Sequence, residues 1–324
     1  MRSFNWKMAG AVCGFIILAL GINSVLNAAL CPDTYTRADI SSLEEGDFQD
    51  LIVGSSHGKC GIDPEVLFEK TGRRSTNQCL GGEYPVDALY LVKEACRKHV
   101  PERVIYELDP GYFTTEPNEG PDFSILYREF PASRVKAEYF CAKMLDGDFR
   151  STLFPWYLWR KNLFSIGESL KEKTTESYKT CDPSRYATEA QTYHANGFIE
   201  RKEVPWEETD PEAPFLWNED TFSEDAEKDF QKLAAYCKEK GIELITVMTP
   251  VPEETETRFA EEYEKAYTYF EELTGELSIP FWNFNEASYG FDRSISGYAD
   301  SEGHMYGKTA KAFSQMLGGC LAGW

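Results

Sequence analysis

Residues 224–250, EDAEKDFQKLAAYCKEKGIELITVMTP, carry a helix signal, a stop and a strand signal in one unbroken run. Phe230, Leu233, Ala234 and Cys237 recur at helical spacing and mark one apolar face. Gly241 follows the last periodic residue, where a left-handed backbone conformation ends a helix. The stretch Ile242 to Met248 is then the most apolar strand signal in the chain. A strand with so little polar alternation is covered on both faces, which is the environment of a parallel sheet between two helical layers.

The same alternation recurs on either side. Asp50–Ser56, DLIVGSS, reads as a short buried strand; Asp63-Pro64 opens a short helix that Gly72 ends. A strand around Thr76–Gly82, TNQCLGG, precedes a helix from Pro85 to about His99, and Arg103–Pro110, RVIYELDP, is a third strand stopped by Pro110 and Gly111. Beyond residue 250 come an acidic helix from Glu253 to Leu273, a strand in IPFWNFN (Ile279–Asn285) and a final helix from about Gly307 to Leu317. This pattern predicts an α/β fold with a parallel sheet covered by helices on both faces, and ligands in such sheets lie beyond the carboxyl ends of the strands. The segment at about 112–222 breaks the rhythm and reads as an insertion that caps the sheet. Its aromatic run FPWYLWRKNLF (Phe154–Phe164) has near-helical spacing, which predicts core packing, with substrate holding as the alternative.

The N-terminus differs in kind. Met8–Leu30, MAGAVCGFIILALGINSVLNAAL, is 23 residues without a charge; Arg2 and Lys7 precede it and Asp33 is the first acid after it. Such a run crosses a hydrocarbon core of about 30 Å. The flanking charges place residues 1–7 in the cytoplasm and the domain 31–324 outside, attached to the cell membrane by a single pass. A cleaved signal peptide is the alternative. The net charge of −21 excludes the nucleic-acid binders, whose affinity rests on cations meeting phosphates. Nine cysteines without a CxxC pair give neither a zinc motif nor a redox motif, and most read as buried free thiols.

The chemistry-bearing stretch is Leu51–Cys60, LIVGSSHGKC. The turn after a first parallel strand points into the crevice above the sheet, and here it carries Gly54, Ser55, Ser56 and His57. A serine hydroxyl becomes a nucleophile when a histidine oriented by a carboxylate takes its proton. His304 stands just ahead of the final helix, with Asp300 four residues and Glu302 two residues before it. Of the other histidines, His57 is expected to point away from the nucleophile, His99 ends a helix, and His194 lies in the insertion.

The chain resembles the SGNH (GDSL-like) hydrolase superfamily, in particular the membrane-anchored exported type associated with cell-surface polymer acylation. The resemblance rests on the anchor, PDTYTRAD (32–39), LIVGSSH (51–57), NQCLGGEYP (77–85), KHVPERVIYELDP (98–110), YHANGFIE (193–200), CKEKGIELITVMTPVP (237–252) and the closing histidine followed by GKTAKAFS (307–314). It implies a flavodoxin-like sheet and a serine site that cleaves or transfers acyl esters. It makes Ser56 the nucleophile, Ser55 the variable position, His304 the base and Gly82, with the Ser56 amide, the oxyanion hole. The family's acid precedes its histidine by three residues, where this chain has Ser301, so Asp300 and Glu302 compete for that role. The family's oxyanion Asn has no counterpart after VIYEL, where Asp109-Pro110 stands. The resemblance implies no metal or organic cofactor, a cell-envelope glycan or small acylated substrate, and a membrane-bound O-acyltransferase as partner. A catalytically silent scaffold or binding protein of surface-polymer assembly is the alternative function.

Overall fold

The computed structural model describes residues 6–117, 123–145, 147, 149–204 and 216–324. Arg2 and most of the segment assigned to the cytoplasm, and residues 205–215 of the loop-like stretch in the insertion, lie outside the described residues. The chain begins with α1 (Trp6–Leu30) and α2 (Tyr35–Glu45), followed by β1 (Asp50–Gly54), α3 (Ser56–Gly61), α4 (Pro64–Thr71), β2 (Ser75–Asn77), α5 (Pro85–Ala95) and β3 (Arg103–Glu107). Five short helices come next: α6 (Ile125–Glu129), α7 (Arg134–Tyr139), α8 (Phe149–Leu153), α9 (Ile166–Lys173) and α10 (Glu176–Lys179). An antiparallel hairpin, β4 (Gln191–Tyr193) and β5 (Ile199–Arg201), closes the insertion. The rhythm then resumes with α11 (Glu224–Lys240), β6 (Glu243–Met248), α12 (Glu253–Arg258), α13 (Ala260–Leu277), β7 (Phe281–Asn283) and α14 (Gly307–Gly323).

The main sheet has five parallel strands in the order β2-β1-β3-β6-β7. This is a doubly wound arrangement, and its topological switch point falls at β1 and β3, where ligands bind in such sheets. Successive strand residues serve opposite faces. Leu51, Val53, Val104, Tyr106 and Leu244 pack with α5, α11 and α13, while Ile52, Ile105, Ile245 and Val247 pack with α14 and α4. Two-sided burial is what the near-continuous apolar strands require.

The α11 helix forms for legible reasons. Ser223 caps it by accepting from the Ala226 amide, acids crowd its first turn, Lys238 and Lys240 sit in its last, and Gly241 takes the left-handed conformation. Phe230, Leu233 and Cys237 are buried on the sheet, with Ala234 at the edge of that face.

Three expectations need correction. The acidic helix is two helices broken at Phe259, because α12 is tied to the loop before α14 through Thr255 Oγ1 and the Ser301 carbonyl (2.6 Å), whereas α13 follows its apolar face onto the sheet. The final helix continues past Leu317 to Gly323, since Leu321 extends its buried face. Finally, the aromatic run Phe154–Phe164 is not core: Phe154 and Tyr157 are about half exposed and Phe164 is fully exposed. Its partners are the last turns of α1. The rest of the insertion is tied to the main body, with Tyr193 and Ile199 of the hairpin in one buried cluster with Ala38 and Cys60. The α1 helix is long and apolar enough to cross a membrane.

Candidate functional site

β1 ends at Gly54, whose φ of +142° is open to glycine; a Cβ there would meet the Glu107 carbonyl oxygen at 2.6 Å. The chain therefore turns tightly against β3 and starts α3 at once. Ser55 is the N-cap of α3, accepting from the His57 amide at 3.1 Å, and is almost fully buried. Ser56 is the first helical residue.

Two buried carboxylates lie under this turn. Glu107, the last residue of β3, accepts from the Ser55 amide at 2.8 Å, and Glu83 accepts from the Gly54 amide at 2.9 Å. Burial pushes both carboxyls up; the charge of Asp109 adds to this at Glu107 and that of Asp87 at Glu83. Sequence reading missed both residues. Their signal is a single acid inside an otherwise apolar strand end or loop, which in sequence is indistinguishable from an ordinary strand terminator.

The structure brings Ser56, His304 and Asp300 together. His304 Nε2 lies 2.7 Å from Ser56 Oγ, and His304 Nδ1 lies 2.7 Å from Asp300 Oδ2. The other Asp300 oxygen accepts from the backbone amides of Glu302, Gly303 and His304 at 3.1–3.2 Å. Gly303 permits this wrapped loop, with φ of +122° and Val251 packed 3.0 Å from where a Cβ would be. Burial by itself would raise the Asp300 carboxyl, but the hydrogen bond and charge of His304 outweigh it and hold the carboxyl well below the usual range. An ionised carboxylate only accepts, so the ring proton belongs on Nδ1 and donates to Asp300. Nε2 is thereby left to accept the Ser56 hydroxyl proton. Arg201 Nη1 stands 3.8 Å from Asp300 Oδ2 and supports the charge.

Glu302 does not take the Nδ1 bond. One of its carboxylate oxygens instead lies within 4.8 Å of ring nitrogens of His57 and His304. These three residues match the ligand types of a metal centre. Both nitrogens of His304 are already directed at Ser56 and Asp300, so a cation there would have to displace one of them.

His57 does not point away. Its ring meets that of His304 edge to face, with centroids 4.8 Å apart, and its Nδ1 is 3.4 Å from Asp109 Oδ2. Asp109 caps the turn Pro110–Phe113 with its other oxygen. Ser56, His57, Gly82, Asp109 and Glu302 line one cavity of about 220 Å³, beyond the carboxyl ends of β1, β3 and β6. Gly82 has φ of +79°, and its amide faces the Tyr112 hydroxyl, so service as an oxyanion donor requires exchanging that partner. Asn77 is structural: its side chain holds the Gly58 and Ile62 carbonyls and the Cys79 amide. His99 packs edge-on against Phe48, and His194 pairs with Glu200; neither reaches the cavity.

No protein-family model matches the chain, and no curated protein matches it. The hydroxyl, imidazole and carboxylate in series are the arrangement that activates a serine for attack on an acyl carbonyl.

Proposed function

We propose that the chain is a membrane-anchored SGNH-type serine esterase or O-acyltransferase with a flavodoxin-like sheet, acting outside the cytoplasm on acyl esters of a cell-envelope glycan. The observation that carries this reading is the unbroken series Ser56 Oγ, His304, Asp300, two contacts of 2.7 Å at the carboxyl end of a parallel sheet. In the reaction, Ser56 Oγ attacks the ester carbonyl as His304 Nε2 takes its proton. The tetrahedral oxyanion is held by the Ser56 and Gly82 amides. Its collapse breaks the carbon–oxygen bond, and His304 returns the proton to the departing alkoxide. Water or a sugar hydroxyl then gives its proton to His304 and attacks the acyl-serine, and His304 passes that proton to Ser56 Oγ as the acyl–oxygen bond breaks and the free serine is restored. Every proton is carried by Ser56 and His304, so the steps call for no metal or organic cofactor. A cavity of about 220 Å³ suits a short acyl group rather than a long chain. A membrane-bound O-acyltransferase is the partner that would supply the acyl group in the transfer version.

One observation favours a catalytically silent scaffold of surface-polymer assembly. Asp109 lines the cavity where the family's donor Asn would stand, and its carboxylate oxygens lack the amide donor that an Asn would present to an oxyanion. The two readings separate on hydrolysis of an aryl acetate by the full chain in detergent. The enzyme reading expects turnover that Ser56→Ala abolishes. The scaffold reading expects none, together with surface-polymer assembly that survives Ser56→Ala in cells.

A further inference from the structure

The aromatic run that fails to enter the core has a different position. Phe154, Tyr157, Leu163 and Phe164 are between 45% and 100% exposed, and Phe149 and Leu153 of α8 add to the same surface. Exposed apolar side chains in such density on a chain of net charge −21 call for a partner. From Phe149 to Gly167 there is no acid, while Arg160 and Lys161 supply bases beside the exposed rings. The segment is also bonded to the end of α1. Trp156 Nε1 donates to Asn23 Oδ1 (2.9 Å), the Trp156 amide to Asn27 Oδ1 (3.1 Å), and Asn162 Nδ2 to the Leu30 carbonyl (3.0 Å).

These bonds fix the height of the segment. From Met8, where the uncharged run begins, α1 rises about 23 Å to Asn23 and about 33 Å to Leu30 at ~1.5 Å per residue, so a hydrocarbon core of about 30 Å ends within the last two turns of the helix. Asn23, Asn27 and Leu30 therefore bracket the level where acyl chains give way to headgroups, and the residues bonded to them lie at that level. Aromatic rings with basic neighbours are the side chains that favour this boundary, and the bases complement anionic headgroups. We infer that Phe149–Phe164 lies flat on the lipid surface, a second attachment that holds the domain at fixed height and tilt beside α1. This rests on α1 being a membrane span. Residues 31–34 join α1 to α2, and the flat segment, together with Lys173 of α9 donating to the Ala28 and Cys31 carbonyls, stops the domain from swinging on that joint.

The test places a photo-reactive benzoylphenylalanine at Phe15, Phe154, Phe164 or Phe68 of the full chain, reconstituted in phosphatidylcholine and phosphatidylglycerol vesicles. Adducts are read by mass after irradiation. Phe68 is the control, about half exposed on α4, which packs on α14 and β2. The inference expects lipid-mass adducts at Phe15, Phe154 and Phe164 and none at Phe68. Adducts at Phe15 alone overturn it and leave the anchor standing. Absence of adducts at Phe15 overturns the anchor and this inference with it. In cell membranes, protein-mass adducts at Phe154 and Phe164 in place of lipid overturn it in favour of a protein partner.

Discussion

At the scale of the residue, the contest between Asp300 and Glu302 is decided by loop geometry. Three consecutive amides wrap one Asp300 oxygen and turn the other onto His304 Nδ1. Asp300→Asn should lower turnover by up to ~10⁴, the cost of a wrong imidazole tautomer in a triad, whereas Glu302→Gln should leave it within a few-fold. Steady-state rates of both variants, with melting temperatures to exclude unfolding, check this. Glu83 offers a second test. Its carboxyl is raised by burial, one of its oxygens accepts from Gly54, and the other is buried without a hydrogen-bond partner among the described residues. The folded state thus keeps a proton that the unfolded chain releases above about pH 4.3. Between that value and the raised one the native state binds more protons, so stability falls as pH rises. Glu83→Gln removes this slope, and its melting temperature relative to wild type should climb from pH 5 to pH 8. A constant difference across that range would show that Glu83 is ionised in the fold.

At the scale of the element, the strand-to-helix turn after β1 shows what two serines do. Ser55 caps α3 and bonds Glu107, while Ser56 stands one residue further into the crevice. Ser55→Ala should cost about 1 kcal/mol of stability by denaturant unfolding, the ordinary value of an N-cap, with the serine reactivity of Ser56 retained. The regular elements were legible in the sequence where one period ruled: the two-sided strands β1, β3 and β6, and α11 with its cap, charges and closing glycine. The Ser56 and His304 pairing was legible from chain order and residue type. The orientation of His57 was not, because the two residues that open α3, Ser56 and His57, both face the crevice although they are adjacent in sequence. Glu83 and Glu107 were not, because burial of an acid is a property of neighbours distant in sequence. The aromatic run was misread for the same reason: helical spacing records that a face is apolar and does not record whether protein or lipid covers it.

At the scale of the whole molecule, the doubly wound sheet brings residue 56 and residue 304 to one crevice, 248 positions apart in sequence, and the insertion hairpin contributes Arg201 beside Asp300. The central claim is that Ser56 is an activated nucleophile. A fluorophosphonate probe on the full chain, followed by mass mapping, tests it most directly. The account predicts a single adduct on Ser56, lost in Ser56→Ala and in His304→Ala, with the double variant no worse than either because members of a triad act as a unit. A folded wild-type chain that takes no probe at Ser56, or labels equally well after His304→Ala, would contradict it.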